Sequence, residues 1–157
     1  MANRLGSFNF TTNTGVVNAS SGQIDDFMLF TNTSSHVIST APATIDLDSD
    51  GTADFTISAW VKPTTLVAGT WARITVARKG KALYLYINDK LQNVATIGAE
   101  NLISFPTLKL SVGGNATNSS SYFNGAIDDV AMYKSYLPER KVKFNYDKGF
   151  SGTALRP

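Results

Sequence analysis

Two-residue alternation of apolar and polar side chains recurs along this chain, and it restricts the fold more than any other feature. Phe55, Ile57, Ala59 and Val61 fall on one side of a run whose other side carries Thr56, Ser58, Trp60 and Lys62. Ala72, Ile74 and Val76 alternate in the same way with Trp71, Arg73 and Thr75, and Leu83, Leu85 and Ile87 with Tyr84 and Tyr86. Leu108, Leu110 and Val112 repeat the pattern; Phe8 and Phe10 begin it. Successive side chains of an extended chain point to opposite faces, so each run reads as a strand with one apolar face. Gly69, Lys79-Gly80, Asn88-Asp89, Gly113-Gly114-Asn115 and Asn124-Gly125 punctuate the runs with turn-forming residues. Many short strands at this spacing predict an all-β fold, an antiparallel two-sheet sandwich. Only Leu137 to Lys148 has helical character, entering at Pro138-Glu139 and stopping at Gly149.

At 157 residues with no linker-like stretch, the chain is expected to form one domain able to bury a two-layer core. The absence of cysteine removes disulfides and thiolate metal sites. A net charge of +2 with no long basic run gives no reason to expect nucleic acid. The C-terminal cluster of Arg140, Lys141, Lys143 and Lys148 reads as a solvated helix face. No stretch is long and apolar enough for membrane insertion, and the first residues lack the apolar core of a signal peptide. The expected location is extracellular or a virion surface, reached without a signal peptide, for instance by lysis. The Asn-x-Ser/Thr triplets at Asn9, Asn18, Asn32, Asn115 and Asn118 are what chance supplies in so Asn-, Ser- and Thr-rich a chain.

The acidic residues are lopsided, ten Asp against Glu100 and Glu139. Their sharpest pattern is Asp46-Leu47-Asp48-Ser49-Asp50-Gly51-Thr52-Ala53-Asp54. In such a loop Asp46, Asp48, Asp50 and Asp54 can converge on one point, with the Thr52 carbonyl completing a shell of hard oxygen ligands suited to structural Ca²⁺. The bidentate Glu of an EF-hand is missing, because Ile57 holds its place in the count. A solvated acidic turn is the alternative. Asp128 and Asp129 are a candidate second metal site, although a bulge or an ion pair with a basic side chain is the favoured use of this pair. They lie in Gly125-Ala126-Ile127-Asp128-Asp129-Val130-Ala131-Met132-Tyr133, which echoes Gly22-Gln23-Ile24-Asp25-Asp26-Phe27-Met28-Leu29-Phe30. In the second copy Ile127 is out of phase with Val130 and Met132, and a β-bulge at the Asp pair would reconcile them.

An ordered series of segments resembles the laminin G-like branch of the concanavalin A-like jelly-roll superfamily. It runs from Leu29-Phe30-Thr31-Asn32-Thr33-Ser34-Ser35-His36-Val37-Ile38 through Asp54-Phe55-Thr56-Ile57-Ser58-Ala59-Trp60-Val61-Lys62-Pro63 to Thr70-Trp71-Ala72-Arg73-Ile74. Leu83-Tyr84-Leu85-Tyr86-Ile87-Asn88-Asp89-Lys90, Phe123 to Tyr133 and Leu137-Pro138-Glu139-Arg140 complete it. The resemblance implies a jelly-roll sandwich, with a family-like core over residues 28–148 and a tail over 149–157. It also implies a strand pair between the Trp60 and Trp71 strands where this chain has only Thr64 to Gly69. The extra N-terminal segment, residues 1–27, contains strand-like Phe8, Phe10, Val16 and Val17. It is expected to fill the vacated edge, in its own subunit or in a neighbour's.

Trp60, Trp71, Tyr84 and Tyr86 lie off the aliphatic faces of their strands and are candidates for a ligand or partner platform; packing inside the sandwich is the favoured alternative. Catalysis has little support. Glycan cleavage needs closely spaced carboxylates, and neither Glu100 nor Glu139 has such a partner. His36, the lone histidine, has no nucleophile motif around it. The leading functional expectation is a non-enzymatic structural protein, a virion-surface decoration or fibre component forming a homo-oligomer or joining other structural subunits. A carbohydrate-binding or adhesion module with a glycan ligand is the alternative.

Overall fold

A computed structural model of the chain describes residues 10–31, 35–39, 45–46, 54–65, 69–97, 104–105, 111–115 and 121–152. Along the sequence these form β1 (Phe10–Thr14), β2 (Val16–Ala19), β3 (Phe27–Phe30), β4 (His36–Ser39), β5 (Ile45–Asp46) and β6 (Phe55–Pro63). Then come β7 (Ala72–Lys79), β8 (Ala82–Ile87), β9 (Lys90–Thr96), β10 (Ser104–Phe105), β11 (Ser111–Val112), β12 (Gly125–Tyr133) and helix α1 (Glu139–Phe150). Seven strands make one antiparallel sheet in the order β2-β3-β12-β6-β7-β8-β9, three make another in the order β1-β4-β11, and β5 pairs with β10. The predicted antiparallel sandwich of jelly-roll type is the fold observed. Phe8, Leu108 and Leu110 fall outside the described residues.

The core sits between the sheets. Val16, Met28, Phe30 and Ile127 of the larger sheet meet Val112 of the smaller one, with Ala59, Val61, Phe123 and Val130 packed around them. Phe30 and Phe123 contact edge to face, centroids 6.4 Å apart. Each fully buried side chain of this size stabilises the fold by about 1.5–3 kcal/mol relative to exposure.

Both N-terminal strands pair within their own chain. β1 lies against β4 at the edge of the three-stranded sheet, and β2 against β3 at the edge of the seven-stranded one. Gly15 separates the two, and its carbonyl accepts the hydroxyl of fully buried Ser35 at 2.9 Å. Among the described residues β1 and β2 thus take edge positions in the two larger sheets, while β6 and β7, the strands between which a pair is missing, bond directly to each other.

The helix is shifted two residues along from its expected span of Leu137 to Lys148. Pro138 is extended (φ −66°, ψ 157°) and serves as the N-cap, so helical turns begin at Glu139. Gly149, expected to stop the helix, lies inside it and is buried. A side chain there would strike the indole of Trp60, with Nε1 only 2.5 Å from its Cβ. Close approach, not termination, explains this glycine. The stop comes at Ser151-Gly152, where the Ser151 amide bonds the Asp147 carbonyl and Gly152 adopts φ +71°. The Gln23 side-chain amide donates to the carbonyls of Gly149 (3.0 Å) and Phe150 (3.3 Å), fastening the end of the helix to the start of the echo segment.

Helix and preceding loop lie over the face of the larger sheet that carries Thr56, Ser58, Trp60, Arg73, Thr75, Ala77 and Tyr86, all buried. Thr56 Oγ1 donates to the Ser135 carbonyl and accepts the Leu137 amide, each at 2.9 Å. Trp60 stacks on Tyr146 with centroids 5.5 Å apart.

A candidate binding groove and a buried acidic bulge

The two echo segments are neighbours in space. Strand β12 pairs with β3 so that Ile127 faces Met28 and Ala126 faces Leu29. The bulge expected at the Asp pair is present. The β12–β6 register shifts between Asp128 and Ala131, and Asp129 takes a left-handed conformation (φ +46°).

That bulge directs two buried carboxylates to protein donors. Asp128 Oδ2 accepts the amide of Ile24 and Oδ1 the amide of Asp129, both at 2.7 Å. Burial raises the Asp128 carboxyl above its ordinary value, opposed by these two amide bonds. Asp129 Oδ2 lies 3.3 Å from Arg73 Nη1, with both side chains almost fully enclosed. Arg73 Nη2 donates to Ser58 Oγ at 2.7 Å, and its guanidinium sits 5.8 Å over the Trp60 ring. Asp128 thus ties the two echo segments together and Asp129 neutralises a buried arginine, which is the structural use expected of the pair.

Of the acidic loop, Asp48, Asp50 and Thr52 lie outside the described residues, and only the backbone of Asp46 is described. Asp54 closes the pattern; its Oδ1 accepts the Gly80 amide at 2.7 Å, joining the end of the loop to the β7–β8 turn. Among the described residues no three metal-binding side chains cluster.

The aromatic candidates separate by accessibility. Trp60 is fully buried and Tyr86 is 2 % exposed, so neither reaches a ligand at the surface. Tyr84 is half-buried, 5.4 Å from Tyr136, whose ring also carries Lys79 Nζ at 5.4 Å. His36 stacks on Tyr122 at 5.9 Å. Glu139 is exposed at the start of α1, and Glu100 is outside the described residues.

Burial, with the neighbouring Tyr136 hydroxyl, pushes the Tyr86 phenol up to about 12. Because the folded value lies above the ordinary value near 10, the stability Tyr86 contributes is fully present below pH 10 and is lost as pH rises through about 12. Base titration of the six tyrosines, followed by phenolate absorbance, is expected to show one late step that Tyr86→Phe removes. A late step that survives the substitution would refute the assignment.

Trp71, like Tyr84, keeps part of its surface open. It is half-buried and meets Phe27 edge to face, centroids 5.6 Å apart and planes at 81°. The β6–β7 register explains the meeting. Val61 pairs with Ala72, so Lys62 and Trp71 stand one step beyond, and Phe27 enters from β3 across β12. Beside them opens a groove of about 310 Å³, lined by Phe27, Leu29, Lys62, Pro63 and Thr64, by Gly69 and by the start of β12. Such a volume is at the lower end for small-ligand sites, roughly 300–1,000 Å³. Lys62 falls on the Trp60 side of its alternating run, but neither it nor Phe27 is among the site candidates that the sequence suggests. The only sequence signal for them is hairpin register, which places Lys62 across from Trp71.

The chain belongs to the concanavalin A-like lectin/glucanases superfamily: the family model so described, a laminin G-like one, matches residues 64–143. No protein of curated description matches it in sequence. Among solved structures it is similar to domain 4 of AbnA, a GH43 extracellular arabinanase from Geobacillus stearothermophilus in complex with arabinotriose. Identity is 16 %, the TM-score is 0.68, and 89 % of each chain is covered. It is also similar to the binding domain of Paraclostridial Mosquitocidal Protein 1, at 18 % identity and TM-score 0.67, covering 94 % of this chain and 51 % of that one. The botulinum neurotoxin serotype G binding domain matches at 12 % identity and TM-score 0.61, over 88 % of this chain and 46 % of that one. This chain spans about half the length of each toxin domain. Identities this low establish the fold and leave function to the site. Among the described residues no helix is long and apolar enough to cross a membrane.

Proposed function

We propose that this domain is a non-catalytic carbohydrate-binding module that seats a sugar ring in the groove beside Phe27 and Trp71. The pairing of Phe27, which lines the open groove, with half-buried Trp71 beside it carries the reading, since flat apolar rings edged by polar groups suit the faces of pyranose and furanose rings. Its likeness to a domain whose structure contains arabinotriose supports it. Glycan-array screening followed by titration calorimetry tests the proposal. Trp71→Ala is expected to weaken the best ligand about tenfold, roughly 1.4 kcal/mol, without lowering the melting midpoint by more than a few degrees. No glycan binding, or binding untouched by Trp71→Ala, would reject the site.

The acidic loop from Asp46 to Asp54 is proposed to hold structural Ca²⁺. Binding confined to the folded form would stabilise it by about 2.7 kcal/mol at a hundredfold excess over Kd. The midpoint of thermal unfolding should therefore rise with Ca²⁺ and fall with chelator, and an unchanged midpoint would retire the loop as a metal site.

The second reading, a subunit of a virion-surface assembly, is favoured by strand β9. Among the described residues β9 pairs with β8 alone, all seven of its residues are exposed, and it lacks proline. An uncovered edge with exposed Leu91 and Val94 is a template for another strand. Light scattering of the native protein separates the readings, because assembly requires a defined oligomer and sugar binding does not.

A further inference from the structure

Lys62 stands out among the lysines of the larger sheet. Its Nζ lies 5.2 Å from the centroid of Trp71 and 5.7 Å from that of Phe27, so the ammonium is held by two rings at once. The residue is half-buried, lines the groove, and forms no ion pair with any carboxylate among the described residues. The lysines that do pair, Lys90 and Lys143, are exposed and reach Asp89 or Asp147. Ring faces compensate a cation only partly, and a half-buried ammonium retains its strongest attraction for an anion. The rest of the groove is largely apolar, formed by Phe27, Leu29, Pro63 and Ala126, with the Thr64 hydroxyl at its rim. A neutral sugar would satisfy the rings and leave the cation unanswered. A sugar bearing a carboxylate would satisfy both.

We infer that the groove selects acidic glycans, with the Lys62 ammonium pairing the carboxylate of a uronic or sialic acid whose ring rests on Trp71 and Phe27. The inference rests on the carbohydrate-binding reading and specifies its ligand class. No bond is made or broken; the selectivity is electrostatic, and it should weaken as salt screens the pair.

The test uses sugars matched except for charge. Oligogalacturonate is compared with its fully methyl-esterified form, and sialyllactose with lactose, by titration calorimetry on the full chain. The expected result is at least tenfold tighter binding of the acidic member of one pair, falling to within about twofold in Lys62→Gln. The variant should melt within a few degrees of the parent, so that lost selectivity is not lost folding. Binding of both members alike by the parent protein overturns the acidic selectivity while the carbohydrate reading stands. Acidic preference that survives Lys62→Gln also overturns it, because another cation is then responsible. No binding of any of the four sugars rejects the inference, and the wider array decides whether the carbohydrate reading falls with it.

Discussion

Replacing Arg73 with methionine is expected to destabilise the domain by about 3–5 kcal/mol, read from the denaturant midpoint at constant slope. Methionine nearly fills the space of the aliphatic stem, so packing is not the main loss. What remains is Asp129, 8 % exposed, with its charge no longer answered by a guanidinium 3.3 Å away. Ser58 Oγ also loses its 2.7 Å donor, and Trp60 loses the cation over its ring. Removing one member of a buried pair costs more than removing both, because the survivor keeps its desolvation penalty. The double variant Arg73→Met with Asp129→Asn should accordingly recover part of the loss, and a double-mutant cycle should show coupling above about 1 kcal/mol. Arg73→Lys should not restore the parent stability, since a point ammonium cannot serve Asp129 and Ser58 from one planar fork. A loss below about 1 kcal/mol for Arg73→Met would mean that water reaches the pair and that the bulge does not depend on it.

Alternation identified the strands because each strand of the sandwich has two unlike faces. It did not identify which face is covered. Along β6, Ile57, Ala59 and Val61 are half-buried and only Phe55 on their side is buried, while Thr56, Ser58 and Trp60 on the other side are all buried, so the face with the polar residues is covered at least as well. The reason is that polar groups on the covered face find partners. Thr56 bonds the loop before α1, and Arg73 answers Asp129 and Ser58. Those partners lie dozens of residues away and leave no periodic trace. The echo was more informative than its length implied, because its copies became neighbouring strands and its Asp pair had to bulge.

The same limit governed the candidate site. Trp60, Trp71, Tyr84 and Tyr86 look alike in sequence, each off the aliphatic face of a strand. The helix decides among them. It covers Trp60, the loop before it approaches Tyr84 and Tyr86 and leaves Tyr84 half-buried, and Trp71, just before β7, is half-buried beside the groove. The tertiary path of twelve residues, Glu139–Phe150, therefore decides that Trp60 is framework, and helical period alone does not reveal where a helix docks.

The seat of that helix on Trp60 yields the second large effect. Trp60→Ala is expected to cost about 3–5 kcal/mol, since it removes a fully buried indole and leaves a cavity between β6 and Tyr146 that a rigid sheet cannot collapse to fill. The more discriminating variant is Gly149→Ala. By helix propensity alone it should stabilise, because alanine is favoured over glycine inside a helix by about 1 kcal/mol. The structure reverses that sign. The new methyl would stand 2.5 Å from Trp60 Nε1 and 2.9 Å from both Cε2 and Cζ2, distances that force the ring or the helix to move. The ring is enclosed by Tyr146 and by the Arg73 guanidinium, so it has little room to yield, and overpacking of this kind costs about 1–3 kcal/mol. In a Trp60→Leu background the obstruction is gone, and the same Gly149→Ala change should become neutral or stabilising. Thermal and denaturant melts of the four proteins measure the reversal. If Gly149→Ala stabilises the parent domain, the helix does not rest on Trp60.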